Sequence, residues 1–135
     1  MIITTVRQYS VFLPNKPGAL SEFTKLFADQ GIAIIGIASE IRDDSGVVRV
    51  SVESDKRIGY ILTQAGFTTV ETSMLSLELP DNIGELHRLS SKLGEAGVNI
   101  TTVYGTTHTG RTSRLLFSVN DLEKAKEVLN NLYNK

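Results

Sequence analysis

The sequence predicts an α+β fold built from two ferredoxin-like βαββαβ repeats with antiparallel sheets. Three observations carry this prediction. First, the chain repeats itself. Shifted by 66, residues 13–34 fall on 79–100, with identities at Leu13/Leu79, Pro14/Pro80, Gly18/Gly84, Leu20/Leu86, Gly31/Gly97 and Ile34/Ile100. Second, each copy reads strand, helix, strand, strand, helix. Third, the closing strand that the second copy lacks has a match at the N-terminus, where Ile3-Thr4-Thr5-Val6 parallels Phe67-Thr68-Thr69-Val70. Residues 2–7 are therefore expected to complete the second repeat. The expected units are 8–72 and 73–135, the latter with the N-terminal strand 2–7.

Each element has a local cause. Tyr9 to Leu13 is a short, mostly apolar strand. Pro17 and Gly18 are expected to open a helix, because proline suits a first turn where its missing N–H costs nothing. Leu20, Phe23, Leu26 and Phe27 follow at helical spacing, and Leu86, Leu89, Leu93 and Ala96 give the same face in the second copy. Gly31 and Gly97 end these helices, where φ > 0 is wanted. Ile32–Arg42 and Val47–Glu53 form a hairpin around Asp43-Asp44-Ser45-Gly46. Val98–Thr106 and Ser113–Val119 form its counterpart around Thr109-Gly110. Asp55 is a candidate N-cap for a helix carrying Ile58, Ile61, Leu62 and Ala65. Asn120 or Asp121 caps the last helix, with Leu122, Ala125, Val128, Leu129 and Leu132. Ala33–Ile41, read as a central strand, is apolar on both alternations. Its second face needs a cover from the other half or a second chain, which motivates an expected homodimer.

Composition bounds the function. The chain has 135 residues, 41% of them apolar, and a formal net charge of −1. Near-neutral charge argues against nucleic acid, which needs a basic patch. No cysteine is present, so disulfides and thiolate chemistry are excluded, and a cytoplasmic setting is expected. No apolar run approaches the ~20 residues of a membrane span, so no membrane partner is expected. His87 and His108 sit in no cluster that would ligate a metal or run acid–base chemistry, so neither an enzyme nor a cofactor is expected.

The two strand-to-helix corners are different. Asn15, Lys16, Pro17, Gly18, Ala19 and Leu20 form the first, and Asp81, Asn82, Ile83, Gly84, Glu85 and Leu86 the second. Free N–H groups at Gly18, Ala19 and Leu20, with the helix dipole, favour an anion such as an amino-acid carboxylate. Equally, glycine there merely fits a tight turn. In the second corner Asp81 and Glu85 would repel an anion or face a ligand's ammonium. The first corner is therefore expected to be the better carboxylate site.

The pattern Phe12-Leu13-Pro14-Asn15-Lys16-Pro17-Gly18-Ala19-Leu20, then Phe23, Leu26-Phe27, Gly31-Ile32 and Ile34, resembles the ACT domain. Both halves resemble it, covering nearly the whole chain as a stand-alone tandem. The resemblance implies a regulatory, amino-acid-binding function, with effectors held where the corner of one domain meets the second strand of a neighbour. By position it adds Ile32, Ala33 and Ile34 in the first half, and Val98, Asn99 and Ile100 in the second, to the expected ligand site. The family's asparagine is present as Asn99 but replaced by Ala33 in the first half, so the first corner is expected to work with Asn99.

The leading expectation is therefore a regulator that binds a free amino acid or similar effector and signals to a metabolic enzyme. The alternative is a regulatory subunit that binds protein but no ligand. RNA recognition on this frame needs stacking aromatics. Val47–Val52 has none and Arg114–Val119 only Phe117.

Overall fold

A computed structural model describes residues 2–42, 45–53, 57–80, 82–106 and 112–133. The expected turns at Asp43-Asp44 and Thr109-Gly110, the candidate cap Asp55, His108 and Asp81 lie outside these residues. The elements are β1 (Ile2–Pro14), α1 (Ala19–Asp29), β2 (Gly36–Arg42), β3 (Ser45–Val52), α2 (Ile58–Gln64), β4 (Thr69–Pro80), α3 (Glu85–Glu95), β5 (Ile100–Thr106), β6 (Thr112–Val119) and α4 (Leu122–Tyr133).

The strands are ordered β2-β3-β1-β4-β6-β5. Antiparallel pairing joins β1 to β3, β2 to β3, β4 to β6 and β5 to β6. This is the mixed α/β architecture of two ferredoxin-like repeats. Where the sequence suggested separate strands at 2–7 and 9–13, one strand of 13 residues runs through. Likewise Thr69–Pro80 is one strand of 12 residues. No glycine or proline interrupts either before its final residue, so nothing breaks the extended backbone.

Two compact units result. One is Val6–Ser73, and the other joins Met74 onward to the residues up to Thr5. Each unit thus takes a segment of β1 and a segment of β4. In the first unit, alternate residues Tyr9, Val11 and Leu13 of β1 and Val48, Val50 and Val52 of β3 bury one sheet face beneath Phe23 and Phe27 of α1 and Ile58 and Leu62 of α2. The Phe23 ring meets Phe27 and Phe67 edge-on at 5.3 and 5.5 Å. In the second unit, Leu75, Leu77, Leu79 and Phe117 are buried with Leu89 and Leu93 of α3 and Ala125 and Leu129 of α4. Ile3 packs against this second core.

The helix ends follow one pattern. Gly31, Gly66 and Gly97 take φ of 67°, 93° and 79°. The next residues, Ile32, Phe67 and Val98, donate back to Phe27, Leu62 and Leu93 at 2.9, 3.0 and 2.9 Å. Asp121 caps α4, its Oδ1 accepting from Lys124 N–H at 3.1 Å. Asn120 has another task, its Oδ1 accepting from Asn99 N–H at 2.9 Å.

The expectation of a central strand at 33–41 is corrected. β2 begins at Gly36 and is an edge strand, paired with β3 alone in the strand order. Residues 32–35 are irregular and lead into it. Ile37 lies opposite Val50, on the helix side, and is 46% exposed. On the other face Gln8 and Ser51 are already buried within the single chain. On the same face Phe12 of β1 is 62% exposed, so part of that face stays uncovered within the single chain.

Candidate functional site

The two corners share a hydrogen-bond ladder. Lys16 N–H donates to Pro14 O at 3.0 Å, Ala19 N–H to Lys16 O at 3.3 Å, and Glu22 N–H to Gly18 O at 3.0 Å. Asn82 N–H donates to Pro80 O at 3.1 Å, Glu85 N–H to Asn82 O at 3.2 Å, and Arg88 N–H to Gly84 O at 3.0 Å. Gly18 and Gly84 are the N-caps, both with φ 86° in the left-handed region. Only glycine adopts this routinely.

This corrects two expectations. Pro17 precedes the cap rather than opening the helix, which starts at Ala19. Ala19 N–H is already bonded, so the groups ahead of the first intrahelical bond are those of Leu20 and Ser21 in the first corner, and Leu86 and His87 in the second.

In the first half Asn15, Lys16, Pro17, Gly18 and Ala33 are exposed, Leu20 is 45% exposed, Ala19 and Ile32 are buried, and Ile34 is half-buried against the first core. In the second half Asn82, Gly84 and Asn99 are exposed. Ile83 stands fully in solvent and Leu86 is 52% exposed. Glu85 is half-buried, Val98 is buried, and Ile100 packs against the second core.

Four of these residues line a pocket of about 260 Å³ within the second unit: Asn82, Gly84, Glu85 and Leu86. Its remaining walls are Leu79 of β4, Gly105 and Thr106 at the end of β5, and Ser113 and Leu115 of β6. Ile83, Val98, Asn99 and Ile100 do not line it. The sequence reading passed over the five wall residues. The internal offset does not mark them, since Gly105 and Thr106 fall on Ser39 and Glu40 of the first half, positions outside either corner motif.

Gly105 lies opposite Leu115. A Cβ there would meet Arg114 O at 2.6 Å and Leu115 Cδ2 at 2.7 Å, so the strands close only because no side chain is present. The same hairpin also carries a register irregularity, between Ile100 and Thr102.

Glu85 is not a free carboxylate. Its Oε1 accepts from Arg88 Nη1 at 3.1 Å and, in a short contact, from the Tyr133 hydroxyl. Arg88 stacks on the Tyr133 ring at 5.3 Å from its centroid. Burial, reinforced by the Glu85 carboxylate, pushes the Tyr133 phenol well above its ordinary value. The expected repulsion of anions by Glu85 is thus moderated by a cation 3.1 Å away.

Among the described residues no group of three His, Asp or Glu side chains converges to hold a metal, and no helix is long and apolar enough to cross a membrane.

A family model described as an ACT domain pair matches residues 4–134. Among solved structures, a protein from Bacteroides thetaiotaomicron is 24% identical with TM-score 0.84, over 96% of this chain and 89% of that one. The regulatory subunit of aspartate kinase from Thermus thermophilus, in its ligand-free form, is 14% identical with TM-score 0.67, over 97% of this chain and 96% of that one. The aspartate kinase of Clostridium acetobutylicum, described as an allosteric enzyme, is 16% identical with TM-score 0.62, over 98% of this chain but 34% of that one. No curated protein matches the sequence. These structural likenesses show a shared fold, and the family match spans both repeats: the chain belongs to the ACT domain pair family.

Proposed function

We propose that this protein is a cytoplasmic, non-catalytic regulator that binds a free amino acid in the pocket at the second corner and signals its occupancy to a metabolic enzyme. The pocket itself carries the reading. Its volume of about 260 Å³ lies just below the range of drug-sized sites, which suits one amino acid. Leu79, Leu86 and Leu115 offer an apolar wall for a side chain. The start of α3, where Gly84, Glu85 and Leu86 line the pocket, offers a positive helix end for a carboxylate. The hydroxyls of Thr106 and Ser113, with Glu85, offer acceptors for an ammonium. The likeness in fold to regulatory parts of aspartate kinases supports a regulatory rather than catalytic role.

The first corner has the same backbone, and Asn15 to Leu20 with Ile32, Ala33 and Ile34 forms a second, weaker candidate site. Ile37 and Val103 occupy equivalent positions on the two edge strands and are 46% and 49% exposed. They are the natural seam for a homodimer. A thermal-shift screen of the twenty amino acids on the full chain tests the reading. One or a few related amino acids should raise Tm saturably. No response to any of them would favour the alternative, a regulatory subunit that binds protein but no effector.

A further inference from the structure

The unit Val6–Ser73 holds a second pocket, unrelated to either corner. It measures about 230 Å³ and lies where the start of α2 crosses β1 and β4. Its lining is Arg7, Tyr9, Arg57, Gly59, Tyr60 and Glu71. The Tyr9 ring is 1% exposed and forms the base. Its hydroxyl donates to Glu71 Oε1 at 3.4 Å, and Arg7 Nε stands 3.6 Å from the same oxygen. The one carboxylate of the lining is therefore committed. Arg57 stands at the rim, exposed. Among the described lining residues two guanidinium groups stand against one carboxylate, an excess of one positive charge.

Tyr60 lies in the first turn of α2, whose N-cap is Arg57, and both residues line the pocket. Tyr60 is 63% exposed, an aromatic face open beside a cation. Gly59 lines the same pocket beside Tyr9 and Glu71. A Cβ there would stand 3.4 Å from the Tyr9 ring, so a side chain would fill the pocket floor. The φ of Gly59 is not positive, so alanine fits its backbone. The internal repeat does not reproduce this constellation, since Arg7 and Tyr9 fall on Ser73 and Leu75.

We propose that this pocket is a binding site for a small aromatic monoanion, its carboxylate paired with Arg57 and Arg7 and its ring laid against Tyr60. Arginine suits this task because its planar fork matches a carboxylate and stacks on aromatic rings. The site is independent of the corner pocket and stands whether or not that pocket takes an amino acid.

The test is isothermal titration of the full chain with benzoate, and with benzylamine as the cationic counterpart of the same shape. Benzoate should bind saturably and benzylamine should not. Arg57→Ala removes one charge-assisted hydrogen bond and should weaken benzoate about tenfold or more. Gly59→Ala should also weaken it while Tm holds or rises, because alanine is the better helix former. Leu86→Ala, in the corner pocket, should leave benzoate affinity intact. Absence of saturable binding, equal binding of benzylamine, unchanged affinity in Arg57→Ala and Gly59→Ala, or a loss in Leu86→Ala would each overturn the proposal.

Discussion

At the first corner Gly18 takes φ 86° and its carbonyl accepts Glu22 N–H at 3.0 Å; at the second Gly84 takes φ 86° and its carbonyl accepts Arg88 N–H at 3.0 Å. The backbones are copies, but their surroundings are not. Ala19 is buried where Glu85 reaches to Arg88 and Tyr133. Ser39 opposes Val48 with a side chain, whereas Gly105 opposes Leu115 with none. The comparison teaches that a repeat transmits a hydrogen-bond ladder faithfully. The chemistry beside the ladder is set by a few positions on the neighbouring hairpin.

The strongest way to sharpen the comparison is to remove residues 1–5. The second unit would lose a strand segment and the packing of Ile3, while the first keeps its own strand. A loss above about 3 kcal/mol, seen as early melting in calorimetry, is expected. Unchanged melting would mean that the second unit does not use the N-terminal strand.

Gly105→Ser comes next. The added side chain meets backbone at 2.6 Å and should cost about 2–3 kcal/mol in urea unfolding. The reverse change at the equivalent site, Ser39→Gly, should cost about 0.5–1 kcal/mol. Equal costs would erase the asymmetry between the hairpins.

Gly18→Ala and Gly84→Ala force a side chain into the same left-handed conformation. Each should cost about 1–2 kcal/mol, and the two values should agree. A large difference would break the claim that the backbones are copies.

The smallest expected effect is at high pH. The Tyr133 phenol is raised above its ordinary value of 10.0, so the folded state holds that proton more tightly than the unfolded state. Its contribution is fully present below pH 10 and is lost as pH rises above that value. Tyr9 is raised as well, first by burial, and contributes in the same direction. Tyr133→Phe should flatten part of the alkaline loss of stability, leaving the part due to Tyr9. An identical alkaline profile would show that the Glu85–Tyr133 contact is weak.

Much of the fold was legible because it rests on short-range signals: glycine at helix ends, apolar periods, and an internal offset. The continuity of β1 and β4 was less so, since a strand that changes unit midway leaves no mark in its residues. The edge position of β2 was misread because Ile34, Ile35 and Ile37 look like a strand buried on both faces, whereas Ile34 and Ile35 precede the strand. Both corners were legible as candidate sites from their Gly and Pro residues. The pocket wall at Gly105, Thr106 and Ser113 was not, because strand register decides which residues face a corner. The Arg7–Tyr9–Glu71 cluster joins β1 to β4 across 62 residues, and no local pattern announces it.

The most direct test of the central claim titrates the amino acid selected by the thermal-shift screen into Leu86→Ala and Leu20→Ala. These residues are equivalent under the repeat and similarly exposed, at 52% and 45%. Leu86 lines the second-corner pocket. Affinity should fall about tenfold in Leu86→Ala and stay unchanged in Leu20→Ala. A loss in Leu20→Ala with Leu86→Ala unaffected would place the effector at the first corner and contradict the account.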